Sequence, residues 1–193
     1  MEKTLSQYDA VVSRCQEIFL KKTHDYGTAW RILRPSSLTD QLFIKAKRIR
    51  SIDEKSMQMV EDSIEGDFIG LVNYAYMALI QLELTGDDEM ELPPAKARKL
   101  YENQVEIVRN LMIAKNHDYG EAWRDMRISS ITDMILMKIL RIRQIEENKG
   151  MTLISEGLDA NYADIANYAI FALILLSEQN WNWFLSCSWT DEK

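Results

Sequence analysis

Apolar residues recur at helical spacing from the start of the chain. Leu5, Tyr8, Val11, Val12, Cys15, Ile18 and Phe19 line one face of a helix expected over about 4–23. Gly27 stops its continuation, and a loop runs to Ser36-Ser37. Ser37-x-x-Asp40 has the form of a capping box with Asp in the place of Glu. It opens a second helix over about 38–55, with Leu42, Phe43, Ala46, Ile49 and Ile52 inward. A third helix follows over about 59–84 and ends before Thr85-Gly86-Asp87-Asp88. The acidic stretch closing on Pro93-Pro94 reads as a linker. The same plan then returns: a helix over about 95–116, a loop over 117–129, a helix after Ser130 with Asp133 as capping partner, and a helix over about 152–177 beyond Gly150.

The plan returns because the residues do. His24-Asp25-Tyr26-Gly27-Thr28-Ala29-Trp30-Arg31 reappears as His117-Asp118-Tyr119-Gly120-Glu121-Ala122-Trp123-Arg124, a shift of 93 (24 to 117). Lys45, Arg48, Ile49 and Arg50 return as Lys138, Arg141, Ile142 and Arg143. Between 24–54 and 117–147, 18 of 31 aligned positions are identical, so the chain is an internal duplication. In the third helices the shift becomes 94, where Asn73-Tyr74-Ala75 meets Asn167-Tyr168-Ala169. The expected fold is all-α: a tandem duplication of a three-helix unit forming a pseudo-twofold helical bundle. Residues 1–86 form the first unit, 87–94 the linker and 95–177 the second unit. Residues 178–193 form a tail that holds three of the five tryptophans. Burial of those rings is favourable, so the tail is expected to pack over the bundle, sit in a subunit contact, or act as a lid.

Net charge is −7 with a pI near 5.0, which argues against a general nucleic-acid binder. A phosphate-bearing small molecule held by a few local cations remains compatible. Cys15 and Cys187 make no disulfide framework and read as reduced thiols. The first seven residues lack a signal peptide's apolar core. The longest apolar run, Tyr168 to Leu176, is shorter than the ~20 residues that cross a bilayer. The expectations are a cytoplasmic protein without membrane contact, and a homo-oligomer as a further option.

The last helix carries Glu156, Asp159, Asp164 and Asn167. At about 100° per residue, the last three stand at about 300°, 80° and 20° from Glu156, on one face. Like charges on one helix face repel, so cations are expected beside them. One source is Lys138 and Arg141, giving inter-helix salt bridges; the other is a hard divalent cation such as Mg²⁺. Copy one keeps acids at Asp62 and Glu65 and keeps Lys45, Arg48 and Asn73, but Gly70 stands opposite Asp164. The second copy is therefore expected to carry the stronger metal site. Lys as a point charge and Arg as a planar fork suit phosphate. In the loop, Tyr26 with Trp30, and Tyr119 with Trp123, could stack on a nucleobase. Alternatively, Trp plugs the bundle end and Tyr bonds within the loop. Gly27 and Gly120 are expected to hold a positive φ. Asp40 and Asp133 read as caps. With two histidines, His24 and His117, a zinc site is not expected.

Copy two reads Lys115, Asp118, Tyr119, Gly120, Trp123, then Lys138 and Arg141, then Glu156, Asp159, Asp164, Asn167, Tyr168 and Ala169. This pattern resembles the nucleotide modification associated domain 1 family, and copy one carries it except at Gly70. It is more distantly similar to the all-α nucleoside triphosphate pyrophosphatases, the MazG and dimeric dUTPase group, although no Glu-Glu-x-x-Glu stands on the second helix of either copy. The resemblance implies a Mg²⁺-dependent nucleoside triphosphate pyrophosphohydrolase. Metal would sit on Glu156, Asp159 and Asp164, and on Asp62 and Glu65 in copy one. Lys138 would act with the catalytic acids. Lys115, Asp118, Tyr119, Trp123, Arg141 and Asn167, with Lys45, Arg48 and Asn73, would bind substrate. The alternatives are a non-catalytic nucleotide-binding module and a structural dimerisation protein.

Overall fold

The computed structural model describes residues 2–55, 59, 61–151 and 156–187, with the backbone alone for 180–187. Among the described residues there are six α-helices and no strand: α1 Glu2–Tyr26, α2 Pro35–Lys55, α3 Ile64–Glu83, α4 Pro94–Tyr119, α5 Ile128–Glu147 and α6 Leu158–Cys187. Short 3-10 turns, Ala29–Ile32 and Ala122–Asp125, carry the two loop tryptophans. The fold is the expected all-α tandem arrangement.

α3 and α6 form the central pair, α5 packs on α6 and α2 on α3, and α2 meets α5. α1 and α4 cross over the top, with α1 reaching α6 and α4 reaching α3. Each outer helix buries a three- and four-residue stripe. In α1 it is Tyr8, Val12, Cys15 and Phe19; in α4 it includes Tyr101, Val108 and Met112. One continuous core joins the two copies.

Matched polar contacts lock the pseudo-twofold. The Tyr8 hydroxyl donates to Asn167 Oδ1, and the Tyr101 hydroxyl to Asn73 Oδ1, both at 2.8 Å. Asn73 Nδ2 donates to the Cys15 carbonyl and Asn167 Nδ2 to that of Val108, the repeat mate of Cys15. Arg143 pairs with Asp40 at 2.7 Å and Arg50 with Asp133 at 3.4 Å, again across the copies.

Those pairs correct the capping expectation. α2 opens at Pro35, so Ser37 lies inside its first turn, and α5 opens at Ile128, ahead of Ser130. Proline suits a first helical position because its missing N–H has no intrahelical partner there. Asp40 and Asp133 are thus freed to join the copies. Gly27 and Gly120 do take positive φ, 65° and 61°, each returning its N–H to the helix before it.

The third helices start later than expected. α3 begins at Ile64, capped by the Ser63 hydroxyl, which accepts from Gly66 N at 3.0 Å. α6 begins at Leu158, so Glu156 precedes the helix. At the other end α6 continues through 178–187, the start of the expected tail, as backbone helix. The tail's tryptophan contacts lie outside the described side chains. The Leu158–Gln179 stretch of α6 is long and apolar enough to cross a bilayer, with hydropathy 1.3, and 78% of that window is buried in the bundle. The uninterrupted run from Tyr168 understated it, because single polar residues interrupt a longer apolar helix.

Candidate functional site

In each copy the second helix presents its Lys and Arg to the third. In copy two, Lys138 on α5 reaches Asp164 on α6 at 2.5 Å, and Lys115 on α4 reaches the other carboxylate oxygen at 2.5 Å. Lys138 and Asp164 are 6% and 5% exposed. Burial alone would lower the Lys115 pKa, but the hydrogen bond and charge of Asp164 outweigh it and the net shift is upward. Glu156 lies 3.9 Å from Lys138 Nζ and is exposed. Asp159 is exposed too, and no salt bridge with a described residue reaches it or Arg141.

This corrects the single acidic face. With Glu156 outside the helix, Asp159 and Asp164 remain, five residues apart and so about 140° around the helix. One points to solvent and the other inward. Among the described residues no three His, Cys, Asp or Glu side chains gather as a metal-holding group.

Copy one solves the same problem differently. Lys45 and Arg48 on α2 both pair with Asp67 on α3, Lys45 at 3.2 Å. Arg48 also donates to the Asp62 carbonyl at 2.7 Å, while Glu65 pairs with Arg14. Asp67 is 5% exposed and matches Asn161, not Asp164. The acid of copy one therefore sits one helical turn before Gly70, and copy one has not lost its carboxylate. Gly70 is needed for this: a Cβ there would collide with the Lys45 side chain, which lies across it on the way to Asp67.

The displacement leaves Lys22, the mate of Lys115, without the acid that Asp164 provides. Lys22 is exposed, and no salt bridge with a described residue reaches it. It lines a cavity of about 510 Å³, within the usual range for small-molecule sites. Lys45 lines the same cavity, with Gly66 and Gly70 on one wall and Tyr26, Trp30 and Tyr74 among its aromatic lining. Tyr26 is 57% exposed; partial burial, then the neighbouring Tyr74 and Asp25, push its hydroxyl pKa upward. The substitutions that open this space are visible against copy two. Met77 stands where copy two has Phe171, whose ring stacks on Trp123 at 4.2 Å and 3°. Gly66 stands where copy two has Ala160, while Gly70, opposite Asp164, is covered by the Lys45 side chain.

The linker holds the cavity's loop in place. Arg31, 7% exposed, donates to the carbonyls of Glu89 and Asp87 and to Gln81. Thr28 accepts from Leu92 N at 2.8 Å, donates to the Met90 carbonyl, and gives its own N–H to Glu91. Its repeat mate region is held otherwise: Arg124 reaches Gln7, Thr4 and Glu178.

Of the remaining expected residues, Trp123 is a core ring under Arg124. Asn167 and Asn73 have both amide atoms engaged, the oxygen across the copies and the nitrogen within its own copy, although Asn73 also borders the cavity. Asp118 and the 73%-exposed Tyr119 lie at the surface, Asp118 beside His117 at 3.1 Å. Lys22, Asp67, Gly66 and Met77 are the residues that sequence reasoning left out.

A family model described as nucleotide modification associated domain 1 matches the chain twice, over residues 22–82 and 115–176. The first match begins at Lys22 and the second at Lys115, and both run through the third helices. No curated protein and no solved structure matches the chain.

Proposed function

We propose that this chain, which belongs to the nucleotide modification associated domain 1 family, binds a nucleotide in the cavity of copy one. The observation that carries the reading is the pairing, in one cavity, of two lysines with Tyr26, Trp30 and Tyr74. Aromatic faces suit a base, because stacking tolerates any of them. Ammonium groups suit a phosphate. Gly66 keeps a side chain off the α3 wall, while Gly70 lets the Lys45 side chain lie against the same helix.

Magnesium enters this reading as a weak fit. Hard divalent cations need free oxygen ligands, and the two buried carboxylates each hold protein cations already: Asp164 holds Lys115 and Lys138, and Asp67 holds Lys45 and Arg48. The binding reading therefore involves no metal.

The pyrophosphohydrolase implied by likeness to the MazG and dimeric dUTPase group is a second reading. What favours it is the exposure of two carboxylates, Glu156 and Asp159, near the buried Lys138–Asp164 pair. It requires substrate phosphates to draw the lysines away from Asp164.

Thermal denaturation against a nucleotide panel, in EDTA and in Mg²⁺, tests both. A ligand at 100 times its Kd stabilises the native state by about 2.7 kcal/mol. The binding reading expects a rise in Tm in EDTA, lost in Tyr74→Ala. A rise seen in Mg²⁺ alone, with pyrophosphate released, favours the hydrolase. No rise with any nucleotide under either condition overturns both.

A further inference from the structure

Copy two holds a carboxylate between two lysines whose repeat mates line the cavity of copy one. Asp164 takes Lys115 on one oxygen and Lys138 on the other, both at 2.5 Å. An anionic group thus fits between these two positions of the repeat. In copy one the mates are Lys22 and Lys45, and residue 70 is glycine. Lys45 turns one ammonium contact toward Asp67 at 3.2 Å, and an ammonium has three donors to give.

We infer that the space between Lys22 and Lys45 is a phosphate subsite for a nucleoside monophosphate, and that Asp164 is the built-in counterpart of that phosphate in copy two. This rests on the nucleotide-binding reading of the cavity and adds the number of phosphates and their place. The charges favour a monoester. Among the described residues no acid lines the cavity, where Lys22 and Lys45 are the charged groups. Asp67 cancels one of the positive charges of Lys45 and Arg48, and Glu65 is matched by Arg14. Lys22 and Lys45 thus bring two positive charges to the walls, Lys45 sharing Asp67 with Arg48, to set against the dianion of a phosphate monoester near neutral pH. A triphosphate would bring further negative charge into a site that offers no more cation on its walls.

The experiment is isothermal titration of the full chain in metal-free buffer at low salt. The probes are the common nucleoside 5′-monophosphates, their nucleosides and their triphosphates. One monophosphate is expected to bind with one equivalent per chain, at least tenfold more tightly than its nucleoside and more tightly than its triphosphate. Lys22→Ala changes an exposed side chain; it should remove the monophosphate's advantage while nucleoside binding persists. Gly70→Asp should do the same by supplying the carboxylate internally, as copy two does. Should Gly70→Asp fail to fold, Lys22→Ala carries the test. Equal binding of nucleoside and monophosphate, tighter binding of the triphosphate, or a Lys22→Ala protein indistinguishable from wild type overturns the subsite and leaves the nucleotide cavity standing. Absence of binding by every nucleoside and nucleotide overturns the cavity reading itself, and the subsite with it.

Discussion

Replacing Asp164 by asparagine should be among the most damaging single polar changes in the chain. The carboxylate is almost fully enclosed, with a side-chain exposure of 7%, and so is Lys138 at 8%. Asparagine keeps the shape and loses the charge, so the buried Lys138 ammonium is left with the exposed Glu156 carboxylate, 3.9 Å away, as its remaining described counter-charge. Removing one partner of a buried pair costs about 3–5 kcal/mol. Lys115, 40% exposed, can turn to solvent and so adds little. The expected loss is about 3 kcal/mol, against a total stability of about 5–15 kcal/mol for ordinary domains. At a urea m-value of about 2 kcal/mol/M, the midpoint would fall by about 1.5 M. The matched change in copy one, Asp67→Asn, should cost about 1–2 kcal/mol, because partly exposed ion pairs contribute less. There Lys45 and Arg48 keep 28% and 26% of their side-chain surface. Far-UV circular dichroism through a urea series measures both. Adding Lys138→Met to Asp164→Asn should recover part of the loss, since the orphaned ammonium goes with it. A midpoint within about 0.25 M of wild type for Asp164→Asn, a loss of about 0.5 kcal/mol or less, would mean that the pair is not enclosed. The lysines would then be reaching water, and the pair would count as an ordinary surface contact.

Tyr8→Phe and Tyr101→Phe each leave a buried asparagine oxygen without its donor and should each lower stability by about 1–2 kcal/mol in urea unfolding. Gly27→Ala should cost more than Gly120→Ala by thermal melting. Both hold positive φ, worth about 1–2 kcal/mol, but a Cβ at Gly27 also strikes the Glu91 carboxylate while Gly120 faces open space. Glu146 has its pKa raised, chiefly by burial, and accepts from Thr39 at 3.0 Å. A raised folded pKa gives stability that is complete below the unfolded carboxylate pKa and is lost as pH climbs through the folded one. Glu146→Gln should therefore raise Tm at neutral pH and flatten the decline as pH rises above the ordinary carboxylate range; an unchanged pH profile would count against the burial of that carboxyl.

The duplication made the architecture readable. Helix counts, the loop glycines and the order of elements follow from a 93-residue echo of strong periodic segments. The candidate site was harder to read, for reasons rooted in the same echo. Asp67 was invisible because its repeat mate is Asn161: the acid moved by one turn, and comparison at matched positions sees only Gly70 against Asp164. Asn73 and Asn167 read as ligand groups because both copies keep them. Repeats keep interlocking contacts as faithfully as functional ones, and these two amide oxygens accept from the tyrosines of the opposite copy. Glu156 joined a helical face on the assumption that the helix began at 152, whereas α6 begins at Leu158. The cavity itself is made by subtraction, Met77 for Phe171 and glycine for Ala160, and a missing side chain leaves no motif.

Copy one's cavity is the proposed nucleotide site. A crystal structure of the chain soaked in metal-free nucleoside monophosphate tests it most directly. Density is expected in that cavity, with the base against Tyr26 and Tyr74 and the phosphate between Lys22 and Lys45, and with Lys115 and Lys138 still on Asp164. Density that instead parts Asp164 from its lysines in copy two, leaving the copy-one cavity filled by solvent, would contradict it.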